Sequence, residues 1–131
     1  LSIYYIDNLY KVENRMVIDK SLQAGSTSML LLGLLAQQDM YGYQMIEELE
    51  KRSDHTFTLK AGTLYPLLHQ LEEQGLLLSY EGTAEGARVR KYYRITPKGT
   101  EKLSEKKREW ERYTTAVNRV LKGGSRNAAW C

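Results

Sequence analysis

The sequence predicts a mainly helical domain with one small β-hairpin and a long C-terminal helix, within 131 residues. Three observations predict it. Apolar residues recur at spacings of three and four in three separate stretches, the period of a helix face. Two short β-like runs, the second rich in aromatic and β-branched residues, follow the first two of these and are joined by a connector bounded by glycines. A Thr96-Pro97 step then opens the last helical stretch, since threonine caps helix starts and proline suits the first helical position.

Residues 1–25 read as an N-terminal extension. Its first fifteen residues precede Met16, which would serve as a native start, and its tyrosines (Tyr4, Tyr5, Tyr10) with Ile3, Ile6 and Leu9 suit packing on a partner surface. Ser26, Thr27 and Ser28 then offer N-caps to a helix over Met29–Gln37 that is apolar on most sides. Gln38–Gly42 reads as a turn. A second helix over Tyr43–Ser53 places Met45, Ile46 and Leu49 on one face and Gln44, Glu47, Glu48 and Lys51 on the other. Ser53–Thr58 is polar and loop-like. A third helix sets Leu64, Leu67, Leu68 and Leu71 on a core face. Pro66 belongs in a first turn, where backbone N–H groups lack helical partners, which predicts a start near Gly62 or Thr63. Gly75 suits a left-handed C-cap.

The β-like runs are Leu76–Glu81 and Val89–Ile95, joined by Gly82–Ala87 as a hairpin tip. The last helix runs from Thr96 to about Lys122, where Gly123-Gly124 stops it. Three helices, a hairpin and a long helix are the order of a winged helix-turn-helix with an appended helix. The expected divisions are an extension (1–25), a winged helix-turn-helix (26–96), a dimerisation helix (97–122) and a tail (123–131).

Composition excludes several classes of function. At 42% apolar and 27% charged the chain is ordinary for a globular protein. The apolar stretch Met29–Ala36 falls short of the roughly 18 residues of a membrane span. The one cysteine, Cys131, offers neither a disulfide framework nor a thiol-rich metal site, which fits a cytoplasmic setting. His55, His69 and Cys131 are scattered, no glycine-rich phosphate loop occurs, and neither histidine has an Asp or Cys partner placed by motif. No enzyme, cofactor or metal is expected. The net charge of +3 decides little, but its distribution does. Between Ala84 and Arg108 nine basic residues stand against three acidic ones, and Arg88–Arg94 alternate along a strand as a polyanion-binding strip would.

The segments YGYQMIEELE (41–50), GTLYPLLHQLEEQGLL (62–77) and RVRKYYRITPKG (88–99) together resemble the PadR family of transcriptional regulators, over about Ser26 to Lys122. The single C-terminal helix is similar to that of the smaller members. The resemblance implies a winged-helix DNA binder, usually a repressor, acting as a homodimer on inverted-repeat operators, and it points to GTLYP as DNA-facing.

In a helix-turn-helix protein the N-terminal residues of the second motif helix enter the major groove. Pro66, His69 and Glu73 face away from the leucines, flanked by Thr63 and Tyr65, and Lys60 adds charge where the helix N-terminus favours an anion. Two readings of Tyr65 stand, a phosphate donor or a core-edge filler; His69 reads first as a plain surface histidine and only second as a base reader. In the wing, alternation sends Arg90, Tyr92 and Arg94 to one face and Val89, Lys91, Tyr93 and Ile95 toward the helices. Arg88 and Arg90 are the foremost phosphate or minor-groove candidates, with Lys91 behind them.

Along the last helix Leu103, Trp110, Tyr113, Thr114, Val117, Val120 and Leu121, with Lys107, form a seam one helix wide. A second copy of the chain would cover it and set two recognition helices about 34 Å apart. Trp110 has two readings, an interface anchor or, as the resemblance implies, the lining of a site for a flat hydrophobic or aromatic effector. The competing function is a winged helix used for protein–protein contact without DNA.

Overall fold

The structure, a computed structural model, describes residues 26–83, 86 and 88–123. The N-terminal extension, Gly124 and the rest of the tail, Cys131 included, lie outside the described residues. The elements run α1 (Thr27–Leu35), β1 (Met40–Tyr41), α2 (Gly42–Arg52), α3 (Ala61–Glu73), β2 (Leu77–Thr83), β3 (Val89–Ile95) and α4 (Pro97–Lys122). The three strands form one antiparallel sheet in the order β1-β3-β2. The predicted fold class stands: a winged helix-turn-helix with a long C-terminal helix.

One apolar core joins the layers. Leu31, Leu32, Met40, Met45, Leu64 and Leu68 are fully buried, and Leu71, Leu77, Tyr93 and Leu103 close around them. Each such burial stabilises by about 1.5–3 kcal/mol relative to exposure. The leucine spacing of α3 faces this core as expected.

Several boundaries differ from the sequence-based expectation. The first helix spans Thr27–Leu35, two residues earlier at each end than predicted, with Ser26 at its N-cap position. The expected turn at Gln38–Gly42 contains β1, whose Met40 and Tyr41 pair with Tyr93 and Tyr92 before the chain passes directly into α2. The third helix begins at Ala61, which puts Pro66 in the second turn instead of the first. Proline has no N–H to give the Gly62 carbonyl, and burial of Leu64, Leu68 and Leu71 on the opposite face outweighs that loss. Gly82 was expected at the hairpin tip but lies inside β2, opposite Arg90. A Cβ there would stand 2.7 Å from the Tyr92 ring, so the glycine makes room for that ring.

Other signals read as predicted. Gly75 adopts φ +76°, its N–H bonding the Glu72 carbonyl (2.9 Å) and that of Leu76 the Leu71 carbonyl (3.0 Å), which closes α3 with a Schellman motif. Thr96 caps α4 by accepting from the Gly99 N–H at 3.0 Å, with Pro97 next.

Candidate nucleic-acid interface

α3 buries its leucines and turns the rest of its surface outward. Gly62, Thr63, Tyr65, Pro66, His69, Gln70 and Glu73 are all exposed, and Lys60 is exposed at the N-cap. His69 Nε2 stands 3.3 Å from Glu73 Oε1, so this carboxylate lies beside the histidine on the solvent face. Tyr65 is 41% exposed, yet its ring rests on the first residue of α2. A Cβ at Gly42 would stand 2.3 Å from the Tyr65 hydroxyl oxygen. The packed ring fits the core-edge reading of this tyrosine, while part of the side chain stays open to solvent.

The wing extends β2 and β3 away from the helices. Its inward face follows the predicted alternation at Tyr93 and Ile95, which pack on the core. Burial raises the Tyr93 hydroxyl above its ordinary pKa. Val89, expected among the core-facing residues, is 63% exposed, because the outer end of the hairpin outruns the helices beneath it. Lys91 is exposed with its ammonium 5.5 Å from the Tyr93 ring centre, and Arg88 is exposed just ahead of β3.

Arg90 is not the free cation the sequence suggested. It is half-buried with its guanidinium 4.3 Å from the Tyr41 ring centre, and its buried Nε has no hydrogen-bond partner among the described residues. A row of rings lies beside it. Tyr41 meets Tyr92 edge-on at 5.6 Å, and Tyr92 stacks on Tyr80 at 5.7 Å. Beyond Tyr80, Arg94 pairs with Asp39 at 2.8 Å, and the Tyr80 hydroxyl donates to the same carboxylate. Arg94 above all holds the Asp39 carboxyl below the ordinary carboxylate range; partial burial opposes this and the Tyr80 hydroxyl assists it. Sequence reasoning missed this constellation. Asp39 sits in a short turn, far along the chain from both partners, and only the register Tyr41–Tyr92–Tyr80 across three strands brings them together.

On α4, Leu103 is buried in the chain's own core beside α1, so it is not open to a second copy as the seam had suggested. The open part of the seam starts later. Trp110, Tyr113, Val120 and Leu121 are 46%, 60%, 80% and 76% exposed, with Thr114 and Val117 partly covered and Lys107 in solvent. Met29, Lys106, Glu109, Trp110 and Tyr113 line a cleft of about 260 Å³. None of the described helices is long and apolar enough to cross a membrane.

Comparison with known proteins agrees with this geometry. Residues 31–105 match the sequence profile described as the Transcriptional regulator PadR-like family. A transcriptional regulator of Mycobacterium tuberculosis is 34% identical over 109 residues, covering 83% of this chain and 95% of that protein. A solved transcriptional regulator from Clostridium thermocellum superposes with a TM-score of 0.72 at 34% identity, over 79% of this chain and 97% of that one. A PadR-like regulator from Bacillus cereus gives 0.72 at 33% identity, over 79% and 99%.

Proposed function

This chain belongs to the PadR-like family of transcriptional regulators, and from that premise we propose that it represses transcription as a homodimer bound to an inverted-repeat operator in double-stranded DNA. It is a regulator and not an enzyme. The observation that carries the DNA reading is the exposed N-terminal half of α3, with its leucines buried behind it, together with the exposed Arg88 and Lys91 of the wing. In this reading α3 enters the major groove, where Thr63, Tyr65, Pro66 and His69 meet base edges or phosphates. Lys60 adds charge at the helix N-terminus, and Arg88, Arg90 and Lys91 approach the backbone from the wing.

The homodimer is supported by α4. A helix of 26 residues is about 39 Å long, and its outer half exposes an apolar seam that water alone would cover. The cleft at Trp110 is open and partly aromatic, which suits a flat hydrophobic effector whose binding would alter the interface. The division into a winged-helix unit (26–96) and a dimerisation helix (97–122) belongs to the same reading.

The test is a gel shift on the DNA upstream of the chain's own gene, repeated across a salt series. Binding that weakens log-linearly with salt, on that DNA in preference to random duplex, supports the reading. Absence of binding at low salt would leave a protein-binding winged helix in its place.

A further inference from the structure

The outer face of the sheet carries an unbroken column of side chains. Arg90 covers the Tyr41 ring, Tyr41 meets Tyr92, Tyr92 stacks on Tyr80, and Arg94 lies 5.2 Å from the Tyr80 ring centre while pairing with Asp39. The faces at both ends of the tyrosine row are occupied by guanidinium groups, which leaves no end open for a stacked base. The column is a fastening, and what it fastens is specific. Asp39 and Tyr41 belong to the segment leading into α2, whereas Tyr80, Arg90, Tyr92 and Arg94 belong to the wing strands. Tyr41 is the N-cap of α2, and the next residue, Gly42, carries the Tyr65 ring of α3. Contacts therefore run without a gap from the outward face of α3 to the wing.

We propose that Asp39, through Arg94 and Tyr80, is a positioning residue for DNA recognition: it pins the wing to the helix-turn-helix unit so that Arg88 and the exposed face of α3 meet the same duplex in register. Asp39 touches no DNA in this scheme. Its carboxylate is one-quarter exposed and takes Arg94 through both Nε (3.0 Å) and Nη2 (2.8 Å) on Oδ2, with Nε also 3.3 Å from Oδ1, so the guanidinium is held at more than one point. The Tyr80 hydroxyl donates to the same oxygen, Oδ2. Apart from the core packing of Leu77, Tyr93 and Ile95, the wing meets the segment before α2 through two paired residues only, Met40 and Tyr41. That is a short edge on which to hold an angle.

The inference rests on the DNA-binding reading, and its test separates the two. Charge alone predicts that Asp39→Asn binds DNA more tightly, because a negative group near a polyanion is removed. Positioning predicts the opposite sign. Affinity for a duplex that the wild type prefers, followed by fluorescence anisotropy, should fall about tenfold, while affinity for random duplex holds or rises. Tyr80→Phe, which changes no charge at neutral pH, should lose preference in the same direction. Exchange of the pair (Asp39→Arg with Arg94→Asp) should recover most of it. Thermal unfolding accompanies each variant, and if Asp39→Asn fails to fold, Tyr80→Phe decides. Variants that keep the wild-type preference, or that bind the preferred duplex more tightly, overturn the positioning role alone. A wild-type chain that binds no duplex overturns the DNA-binding reading and the positioning role with it.

Discussion

The ring of Tyr65 lies directly on Gly42, so closely that a Cβ at residue 42 would stand 2.7 Å from Cζ and 2.3 Å from the hydroxyl oxygen. Two helices of the motif thus meet at a glycine and a tyrosine, and the smaller residue sets where the larger one points. Gly42→Ala should cost about 1–3 kcal/mol in urea unfolding, since the ring must move to admit the methyl group. Tyr65→Ala in the same chain should remove most of that cost. Additive losses in the double variant would show that the two residues do not share the site.

The wing cations differ in freedom, and their substitution should reveal it. Arg88 is exposed, so Arg88→Ala should weaken binding to all sequences and reduce the slope of log K against log salt by about one. Adding Arg90→Ala should lower the slope further and also release the Tyr41 ring. An unchanged salt slope in the double variant would take the wing out of the mechanism.

The two ends of the α4 seam should respond differently. Leu103→Ala removes a buried side chain and should lower folding stability by about 2–5 kcal/mol. Val120→Asp with Leu121→Asp alters residues that stand in solvent in the single chain. It should leave the helical signal by circular dichroism intact and shift sedimentation from dimer to monomer at micromolar concentration. A wild type that sediments only as monomer would end the homodimer reading.

Trp110 offers an optical handle on the cleft. In a Trp130→Phe background, planar aromatic compounds should quench its emission saturably, and Lys106→Ala or Met29→Ala should shift the midpoint. A linear, unsaturable response would leave Trp110 as an interface anchor.

Acid should loosen the Asp39 pairing. The carboxyl has a lowered pKa in the folded chain, so its contribution to stability is complete above the ordinary carboxylate range and is lost as pH falls through the lowered folded value. The stability difference between wild type and Asp39→Asn, measured by urea unfolding, should therefore be largest near neutral pH and shrink on acidification. A difference independent of pH would show that the pairing adds nothing through charge.

What the sequence makes legible is local periodicity and punctuation. The leucines of α3, the Thr96-Pro97 start and Gly75 each signal through neighbours within a turn or two, and the structure uses them as read. β1 escapes because two residues carry no period, and its partners Tyr92 and Tyr93 lie on a strand much later in the chain. Leu103 is misplaced for a related reason. One helical stripe serves two clients, the chain's own core near its start and solvent farther on, and spacing alone marks no handover. Arg90 and Arg94 look like free cations because their partners, Tyr41 and Asp39, are distant in sequence.

The joint between α3 and α4 is bound from several directions. The Thr96 hydroxyl donates to the Gly75 carbonyl at 2.7 Å, the Lys98 ammonium to the Gln74 carbonyl at 2.9 Å, and the Thr96 N–H to the Leu76 carbonyl at 3.0 Å. A Cβ on Gly99 would fall 2.1 Å from that last oxygen, so the backbones are in contact there. Such a weld turns α4 into a crank. A tilt of about 5° at the joint swings the far end of a helix about 39 Å long through about 3 Å. Read in the other direction, a displacement of that size at the far end would reach α3 as rotation with little lost to slack.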